Sequence, residues 1–410
     1  MNLSQPFLEQ LFYKDWTTIP ENIAVDIIQY DECPTYEQFV EECLIGNRPA
    51  LFKKTCHLMD KWSCMTEWLN ESKTEPNFDK LVENYGQLDV PVTHCSSDAE
   101  YGEERKSTMV FSDYVEYWRK NNQNTVLYCK DWHLINEIEK MNKPLFYEWP
   151  VYFRSDWLNE TCLVDSKDDF RFVYMGPNTT STKLHMDVLG SYSWSANICG
   201  KKRWRFLRPG NEMCLVDRRK IMTNSIDEAK ARGIDIYPEL DRLNVIEIYQ
   251  EAGEIIFVPS EWYHEVDNIG NTISINHNWY NGFNILRIWT HLSRIVDQIE
   301  IKIADCRSTL DNWYEHCQLI LLSNEGMNFG TFYELLYKIG KRRIETLSTQ
   351  KREELIGNRE HCLFDIWIIE KVVQLMLKNS AFLHAFDFDT FKCRPKRFLN
   401  EIRTYLQQET

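Results

Sequence analysis

The sequence lacks the signals that would place a protein outside the cell or in a membrane. None of its 13 cysteines, an odd number, belongs to a Cys-x-x-Cys pair, the spacing typical of zinc modules and redox pairs. No apolar run approaches roughly 18 residues, and the opening MNLSQPFLEQ does not join a basic segment to an apolar one. We therefore expect free thiols, no membrane span and a cytoplasmic protein, with the nucleus as an alternative compartment.

Positive charge is also in short supply. The chain has 47 Lys and Arg against 62 Asp and Glu, a formal net charge of −15. Because an acidic surface repels phosphate backbones, we expect no direct binding of nucleic acid. The same charge would attract a basic protein substrate, although solubility alone also accounts for it.

Turn signals divide the 410 residues into three regions. Residues 1–150 mix helical and strand patterns and are expected to pack on the core as an α+β region. In 151–282 short strands alternate with turns, which predicts a barrel or sandwich, interrupted by a charged, partly helical insertion at 211–245. Helical spacing returns beyond this point, so 283–410 is predicted to be a helical subdomain.

Three strands of the middle region bear on function. In 191–198 small polar residues alternate with bulky apolar ones, so this strand has one polar face. A further strand is predicted at 202–207. Residues 268–271, Asn-Ile-Gly-Asn, are typical of a hairpin turn, and we expect a turn there that leads into a last strand at 272–279.

A metal site is indicated by His185 and Asp187, which form the only His-x-Asp motif among ten histidines. Chance alone gives on the order of 0.6 such motifs, but positions i and i+2 share one face of a strand. His264 follows an apolar strand and supplies a third ligand. Two histidines and one carboxylate leave three iron positions open, as non-haem Fe(II) oxygenases require. Zinc hydrolysis fits less well, and either motif alone is also typical of ordinary strand polarity.

Several runs around these residues resemble the JmjC family. They are KLHMD (183–187), Trp194, GKKRW (200–204) and EIIFVPSEWYH (254–264). The order and separation of the two halves match a JmjC domain. The resemblance implies a mainly β double-stranded β-helix, that is, a cupin-like jelly-roll core. It further implies Fe(II), 2-oxoglutarate as co-substrate, O2, and ascorbate as reductant.

Lys202 matches the lysine that holds the distal carboxylate of 2-oxoglutarate in related JmjC hydroxylases. Lys201 and Arg203 are rivals by sequence, but strand alternation places both on the opposite face. Thr182, three residues before the first histidine, matches a second contact to the same carboxylate.

Four further polar residues are candidates for the co-substrate pocket. Asn276 and Asn278 share one face of the last strand, and Ser195 and Asn197 lie on the polar face of theirs. Ordinary strand polarity explains each of them equally well. Asn276 stands where some relatives place a threonine. His277 alternates away from its neighbours and is expected to point out of the pocket.

Two more runs, SDWLNE (155–160) and TISINHNWYNG (272–282), resemble one branch of the family, over roughly residues 30–340. This likeness implies a protein hydroxylase whose substrate is a lysine of the translation termination factor eukaryotic release factor 1. One alternative is a histone lysine demethylase, which the absence of a chromatin-reader pattern and the use of Asp187 instead of glutamate disfavour. A non-catalytic binding module is the other, although it would not need an intact triad.

The C-terminal helices raise the question of a partner. Seven large apolar residues between 285 and 299 recur at helical spacing, which is too many to leave in water. We expect this stripe either to form a homodimer interface, as C-terminal helices do in some related JmjC hydroxylases, or to pack on the chain's own barrel.

Overall fold

The computed structural model describes residues 1–16, 26–95, 105–120, 126–165, 169–348 and 357–409. Eleven strands lie in these ranges: β1 (Ile28–Tyr30), β2 (Ala50–Phe52), β3 (Asp89–His94), β4 (Lys106–Val110), β5 (Leu127–Trp132), β6 (Arg171–Gly176), β7 (Ser181–His185), β8 (Tyr192–Leu207), β9 (Ile246–Gln250), β10 (Ile255–Val258) and β11 (Tyr263–Trp279).

The same ranges contain fourteen α-helices: α1 (Gln5–Tyr13), α2 (Tyr36–Phe39), α3 (Cys64–Glu67), α4 (Phe78–Tyr85), α5 (Phe111–Lys120), α6 (Leu134–Lys140), α7 (Trp157–Asp165), α8 (Ile226–Arg232), α9 (Ile285–Lys302), α10 (Trp313–Glu325), α11 (Phe329–Ser348), α12 (Arg359–Met376), α13 (Ser380–Ala385) and α14 (Pro395–Glu409). No helix among the described residues has both the length and the apolar character needed to cross a bilayer.

The sheet is built around β8 and β11, which pair antiparallel along nearly their whole lengths. One half of β8 pairs with β10 and the other half with β9. In the same way β11 pairs with β6 at one end and with β7 at the other. The two long strands therefore belong to two strand layers at once, which is how a jelly-roll core closes on itself.

The hairpin turn predicted at 268–271 is wrong. The chain does not reverse there: β11 runs on along β8 with a shift in register between Ile269 and Ile273. Gly270 has φ +80° and Gly200, opposite on β8, has φ +71°. A Cβ at Gly200 would lie 2.3 Å from the carbonyl oxygen of Asn271. Both a hairpin and a bulge use such positive-φ glycines, so the local sequence could not separate the two.

The N-terminal region extends this sheet at both edges. β2 pairs with β10 and carries β1, while β5 pairs with β6 and carries β3, followed by β4. The insertion between β8 and β9 contains α8 and a small apolar cluster of its own, built on Leu215, Ile226 and Tyr237 with Leu184 of β7. The insertion thus packs beside the strand that ends at His185.

The C-terminal helices pack on the core through apolar and ionic contacts. In α9, Ile285, Ile288 and Leu292 are completely buried. Arg343 of α11 donates to both carboxylate oxygens of Glu160 in α7, at 2.9 and 3.0 Å, and to Asp365 of α12 at 2.9 Å. Since breaking a buried ion pair costs about 3–5 kcal/mol, this contact makes removal of the helices destabilising for α7.

Candidate metal and co-substrate site

Three potential metal ligands converge where β7 and β11 pair. His185 is the last residue of β7 and lies opposite His264 of β11. Donor atoms of His185, Asp187 and His264 all lie within 4.8 Å of one another. The His-x-Asp motif predicted that Asp187 would lie on the same strand as His185, but β7 ends at His185. Asp187 begins the turn 188–190 beyond the end of β7, and this turn brings its carboxylate to the two imidazoles.

Hydrogen bonding orients both imidazoles. Nδ1 of His185 donates to the carbonyl of Lys183 at 2.8 Å, and Nδ1 of His264 donates to the carbonyl of Trp262 at 3.1 Å. Because a carbonyl only accepts, each Nδ1 carries the proton and each Nε2 is left as the ligand atom. Burial, and then the electrostatic interaction with the neighbouring His264, lower the pKa of His185 to about 4. His185 is therefore neutral at physiological pH, the form that binds a metal.

The Asp187 carboxylate is held at both oxygens. Asn278 Nδ2 donates to Oδ1 at 2.8 Å, and Ser193 Oγ donates to Oδ2 at 2.7 Å. Asn278, a predicted co-substrate contact, thus bonds to the candidate metal ligand Asp187. Ser193 was not predicted as a site residue, although its place on the polar face of 191–198 was a usable signal.

A cavity of about 50 Å³ opens beside the three ligands. A single water needs about 10–15 Å³ of such space. Lys202 lines the cavity, is 2% exposed, and has no carboxylate of the described residues within 4.0 Å. Burial lowers the pKa of Lys202 to about 7. A buried cation without a partner is costly, so its presence fits a site that takes up an anionic group.

The rival cations point elsewhere. Lys201 pairs with Glu251 at 2.7 Å and lies over the ring of Tyr249, while Arg203 pairs with Asp267 at 2.7 Å. Both side chains are about one third exposed. The alternation of β8 therefore separates Lys202 from its two neighbours.

The other predicted pocket residues divide into two groups. Thr182, Ser195 and Asn276 line the cavity, and the buried Ser195 Oγ has no hydrogen-bond partner among the described residues. Asn197 lies outside the cavity. Its Nδ2 donates to the Gly200 carbonyl at 2.8 Å, so this residue stabilises the bend of β8 and does not reach the pocket.

His277 also lies outside the cavity, in the direction that strand alternation predicts. It stacks on Trp194, with ring centroids 4.2 Å apart, and its Nε2 lies 2.8 Å from the Tyr147 hydroxyl. Five cavity residues were not predicted as site residues, namely Tyr174, Ser193, Trp194, Trp204 and Val266. Tyr174 alternates with Phe172 in β6 and with Phe170 just before it, so the three share one face, but nothing in this alternation indicates that the face is directed at a metal.

The turn before His264 is held by Asn47, a residue of the N-terminal region. Asn47 Nδ2 donates to the Ser260 carbonyl at 2.9 Å, and Trp262 Nε1 donates to the Asn47 carbonyl at 3.0 Å. Both contacts are completely buried. The two bonds fix the backbone from which His264 projects.

Fold and site together define a class. Two histidines and a carboxylate on a jelly-roll core, beside a buried lysine, are the components of a non-haem iron oxygenase that uses a dicarboxylate co-substrate. A profile of the cupin-like domain matches residues 36–285, which confirms the predicted fold.

Comparison with known proteins gives the family. The chain is 36% identical over 386 residues to the 2-oxoglutarate and iron-dependent oxygenase JMJD4 of Danio rerio, covering 90% of each chain. It is 34% identical over 377 residues to the Homo sapiens protein of that name, covering 90% of this chain and 88% of the other. It is 32% identical over 371 residues to the arginine-specific demethylase JMJ20 of Arabidopsis thaliana, covering 85% and 78%.

The chain belongs to the JmjC family of cupin-like oxygenases, in the group of the JMJD4 proteins. It is a 2-oxoglutarate-dependent dioxygenase, and its cofactors are iron and 2-oxoglutarate. The resemblance found in the sequence is confirmed.

Proposed function

We propose that the chain is a protein hydroxylase and that it oxidises a lysine of eukaryotic release factor 1. The observation that carries the reaction class is the convergence of His185, Asp187 and His264 beside the buried Lys202. The branch-specific runs at 155–160 and 272–282 support the choice of substrate.

In this proposal each group of the site has a stated task. Bound iron, with 2-oxoglutarate and dioxygen, supplies the oxidation of an unactivated C–H bond. His185, Asp187 and His264 would hold the metal on one side, and Lys202 would pair with the distal carboxylate of 2-oxoglutarate. Trp204 lines the cavity and stacks on His264, with ring centroids 5.6 Å apart, which limits the access of water to that ligand.

A carboxylate near the cavity supports a lysine as the target. Tyr174 lines the cavity, and its hydroxyl donates to Asp131 at 2.6 Å. Burial opposes the charged form of Asp131, but the Tyr174 hydrogen bond and the charges of Lys130 and Lys106 outweigh it and lower the pKa of this carboxyl. The side chain is 34% exposed and pairs with Lys106 at 3.2 Å. An incoming ammonium group could replace that surface lysine.

The acidic surface of the whole chain acts in the same direction. A net charge of −15 steers a basic polypeptide segment toward the protein and disfavours an acidic one. This effect is screened by salt, so association with the substrate should slow as ionic strength rises.

Demethylation is the second candidate, and the similarity to a plant protein named as an arginine-specific demethylase favours it. The same oxidation would then attack a methyl carbon bonded to nitrogen, and the hydroxymethyl group would leave as formaldehyde. In the sequence analysis this alternative was a demethylation of a histone lysine.

Mass spectrometry distinguishes the two reactions. Full-length protein is incubated with Fe(II), ascorbate and 2-oxoglutarate, and separately with release factor 1 or with methylated histone peptides. We expect one added oxygen on a release-factor lysine, and no change when Asp187→Ala replaces the wild type. Loss of a methyl group with formaldehyde release, from the histone peptides alone, would replace hydroxylation by demethylation.

A further inference from the structure

A second cavity, of about 650 Å³, lies between the jelly-roll core and the C-terminal helices. Apolar residues of its wall include Leu158, Phe170, Leu189, Leu335, Phe386 and Phe391. Voids larger than a water molecule are few in protein interiors, whereas ligand pockets measure about 300–1,000 Å³. The size and the apolar wall therefore suit a bound apolar group.

A stripe of aromatic rings connects this cavity with the metal site. Phe170, Phe172 and Tyr174 occupy alternate positions along β6 and the residue before it, so they share one face. The ring centroids of Phe170 and Phe172 are 6.5 Å apart, and those of Phe172 and Tyr174 are 6.4 Å apart. All three rings are half-buried. Phe170 lines the second cavity and Tyr174 lines the metal cavity. The stripe is thus a continuous apolar path between the two.

The turn that carries a metal ligand also borders the second cavity. Leu189 lies two residues after Asp187, has φ +59°, and is part of the cavity wall. The Gly190 amide donates to the Asp187 carbonyl at 3.0 Å, which closes the turn. The turn therefore separates the metal ligands from the second cavity by only a few residues.

We propose that the second cavity binds a large apolar side chain of the polypeptide substrate, about four residues from the residue that is oxidised. A strand rises about 3.3 Å per residue, so the path from Tyr174 to Phe170 is roughly 13 Å long. An extended substrate chain covers that distance in about four residues. The inference rests on the proposed function, because it requires a polypeptide substrate.

The rim of the cavity favours a polypeptide over a small ion. It carries side chains of both signs, Glu325 and Glu334 beside Lys338 and Lys392, and Glu325 already lies 3.1 Å from His291 Nε2. A mixed rim does not select one charge. It suits an apolar anchor whose polar backbone remains at the surface, the usual arrangement of a buried hot-spot residue.

Filling the cavity tests the proposal. Leu322 of α10 lines it and is half-buried, so Leu322→Trp should occupy the space without opening the core. Its neighbour Ser323 is exposed and is not part of the wall, so Ser323→Trp is the matched control. Both proteins are loaded with Mn(II) and 2-oxoglutarate, and retained 2-oxoglutarate binding shows that each is folded.

The probe is a random peptide library with one fixed lysine, selected on the loaded wild-type protein. We expect the selected peptides to carry a large apolar residue about four positions from the lysine. They should bind Leu322→Trp about tenfold or more weakly than Ser323→Trp, since a buried anchor contributes at least that factor.

Three results would overturn the inference: no selection above background, selected peptides without that spacing, or equal binding to the two variants. A molar mass that changes only in Leu322→Trp would also overturn it, by assigning the cavity to a second copy of the chain. The proposed function fails separately, if wild-type protein does not modify release factor 1, and that failure leaves the library result valid.

Discussion

Asn278 Nδ2 donates a 2.8 Å hydrogen bond to Oδ1 of Asp187, the carboxylate that faces His185 and His264. The bond joins the end of β11 to the loop after β7, and its two residues are 91 positions apart in sequence. It fixes a ligand that no strand holds, because Asp187 lies beyond the end of β7. Asn278 is therefore expected to position the metal ligand.

Removal of this bond should weaken metal binding while leaving the fold intact. Outer hydrogen bonds to metal ligands typically account for 10–100-fold in affinity, so Asn278→Ala should lose about that factor in Mn(II) affinity, measured by calorimetry. Asn276→Ala is the matched control, since it lies on the same face of β11 without contacting Asp187. Equal losses in the two variants would show that the loss reflects general damage to the strand.

Loss of a ligand itself should abolish the reaction. Turnover is measured as succinate, the product formed when 2-oxoglutarate is oxidatively decarboxylated. We expect His185→Ala and Asp187→Ala to form none after metal depletion and reconstitution with iron, while their thermal unfolding stays close to that of wild type. His57→Ala, whose side chain is 73% exposed, controls for handling. Undiminished turnover in either ligand variant would refute the iron assignment.

Lys202→Ala should chiefly impair 2-oxoglutarate binding. Leaving a buried carboxylate without its partner costs about 3–5 kcal/mol, which corresponds to a loss in affinity of roughly a hundredfold to a few thousandfold. Calorimetry of 2-oxoglutarate with the Mn(II)-loaded protein measures it. Arg203→Ala, on the opposite face and paired with Asp267, should bind normally; a comparable defect there would transfer the role to Arg203.

The sequence predicted what depends on local periodicity. Strand alternation separates Lys202 from Lys201 and Arg203, and it turns His277 away from the cavity, as the structure also has them. It failed at 268–271, because one positive-φ glycine serves a hairpin and a bulge equally. The periodicity thus gives the direction of a side chain, but does not give the path of the strand.

Contacts between distant segments could not be predicted. Asn47 bonds to Ser260, 213 residues later in the sequence. Tyr174 of β6 bonds to Asp131 of β5, and only the pairing of these two strands in the sheet brings the residues together. Asn197 has the same polar-face position as Ser195, yet it bonds to the bend at Gly200 and not to the cavity. A pattern of alternation does not show where along a strand the cavity ends.

The pKa of Lys202, which burial lowers to about 7, predicts how co-substrate binding depends on pH. Above pH 7 this lysine is mostly neutral, and a bound carboxylate favours its charged form, so binding takes up a proton. Affinity for 2-oxoglutarate should therefore fall as pH rises above 7, by up to about tenfold per unit, and this group should add no dependence below it.

Calorimetry between about pH 6 and about pH 8, in buffers of different ionisation enthalpy, counts the protons taken up. Lys202→Arg provides the control, because a guanidinium stays charged throughout and should abolish the uptake even if it binds more weakly. If the number of protons taken up by the wild type is the same below and above pH 7, the pKa of Lys202 is not lowered to this range.

The apolar stripe of α9, for which the sequence left open either a homodimer interface or packing on the barrel, is covered by the chain itself. Ile285, Ile288 and Leu292 are completely buried within one copy. Light scattering at several concentrations is therefore expected to give a mass near 49.1 kDa, and a doubled mass would mean that other surfaces of the C-terminal helices form a homodimer.

Truncation after Gly282 tests the intramolecular packing directly. It removes Arg343, so the buried Glu160 loses its partner, and it exposes the core surface that α9 and α12 had covered. An unpaired buried charge and a large apolar patch each favour unfolding and association. We expect the shortened chain to aggregate and to bind no 2-oxoglutarate. A soluble, monomeric fragment that still binds it would show that the helices are dispensable to the site.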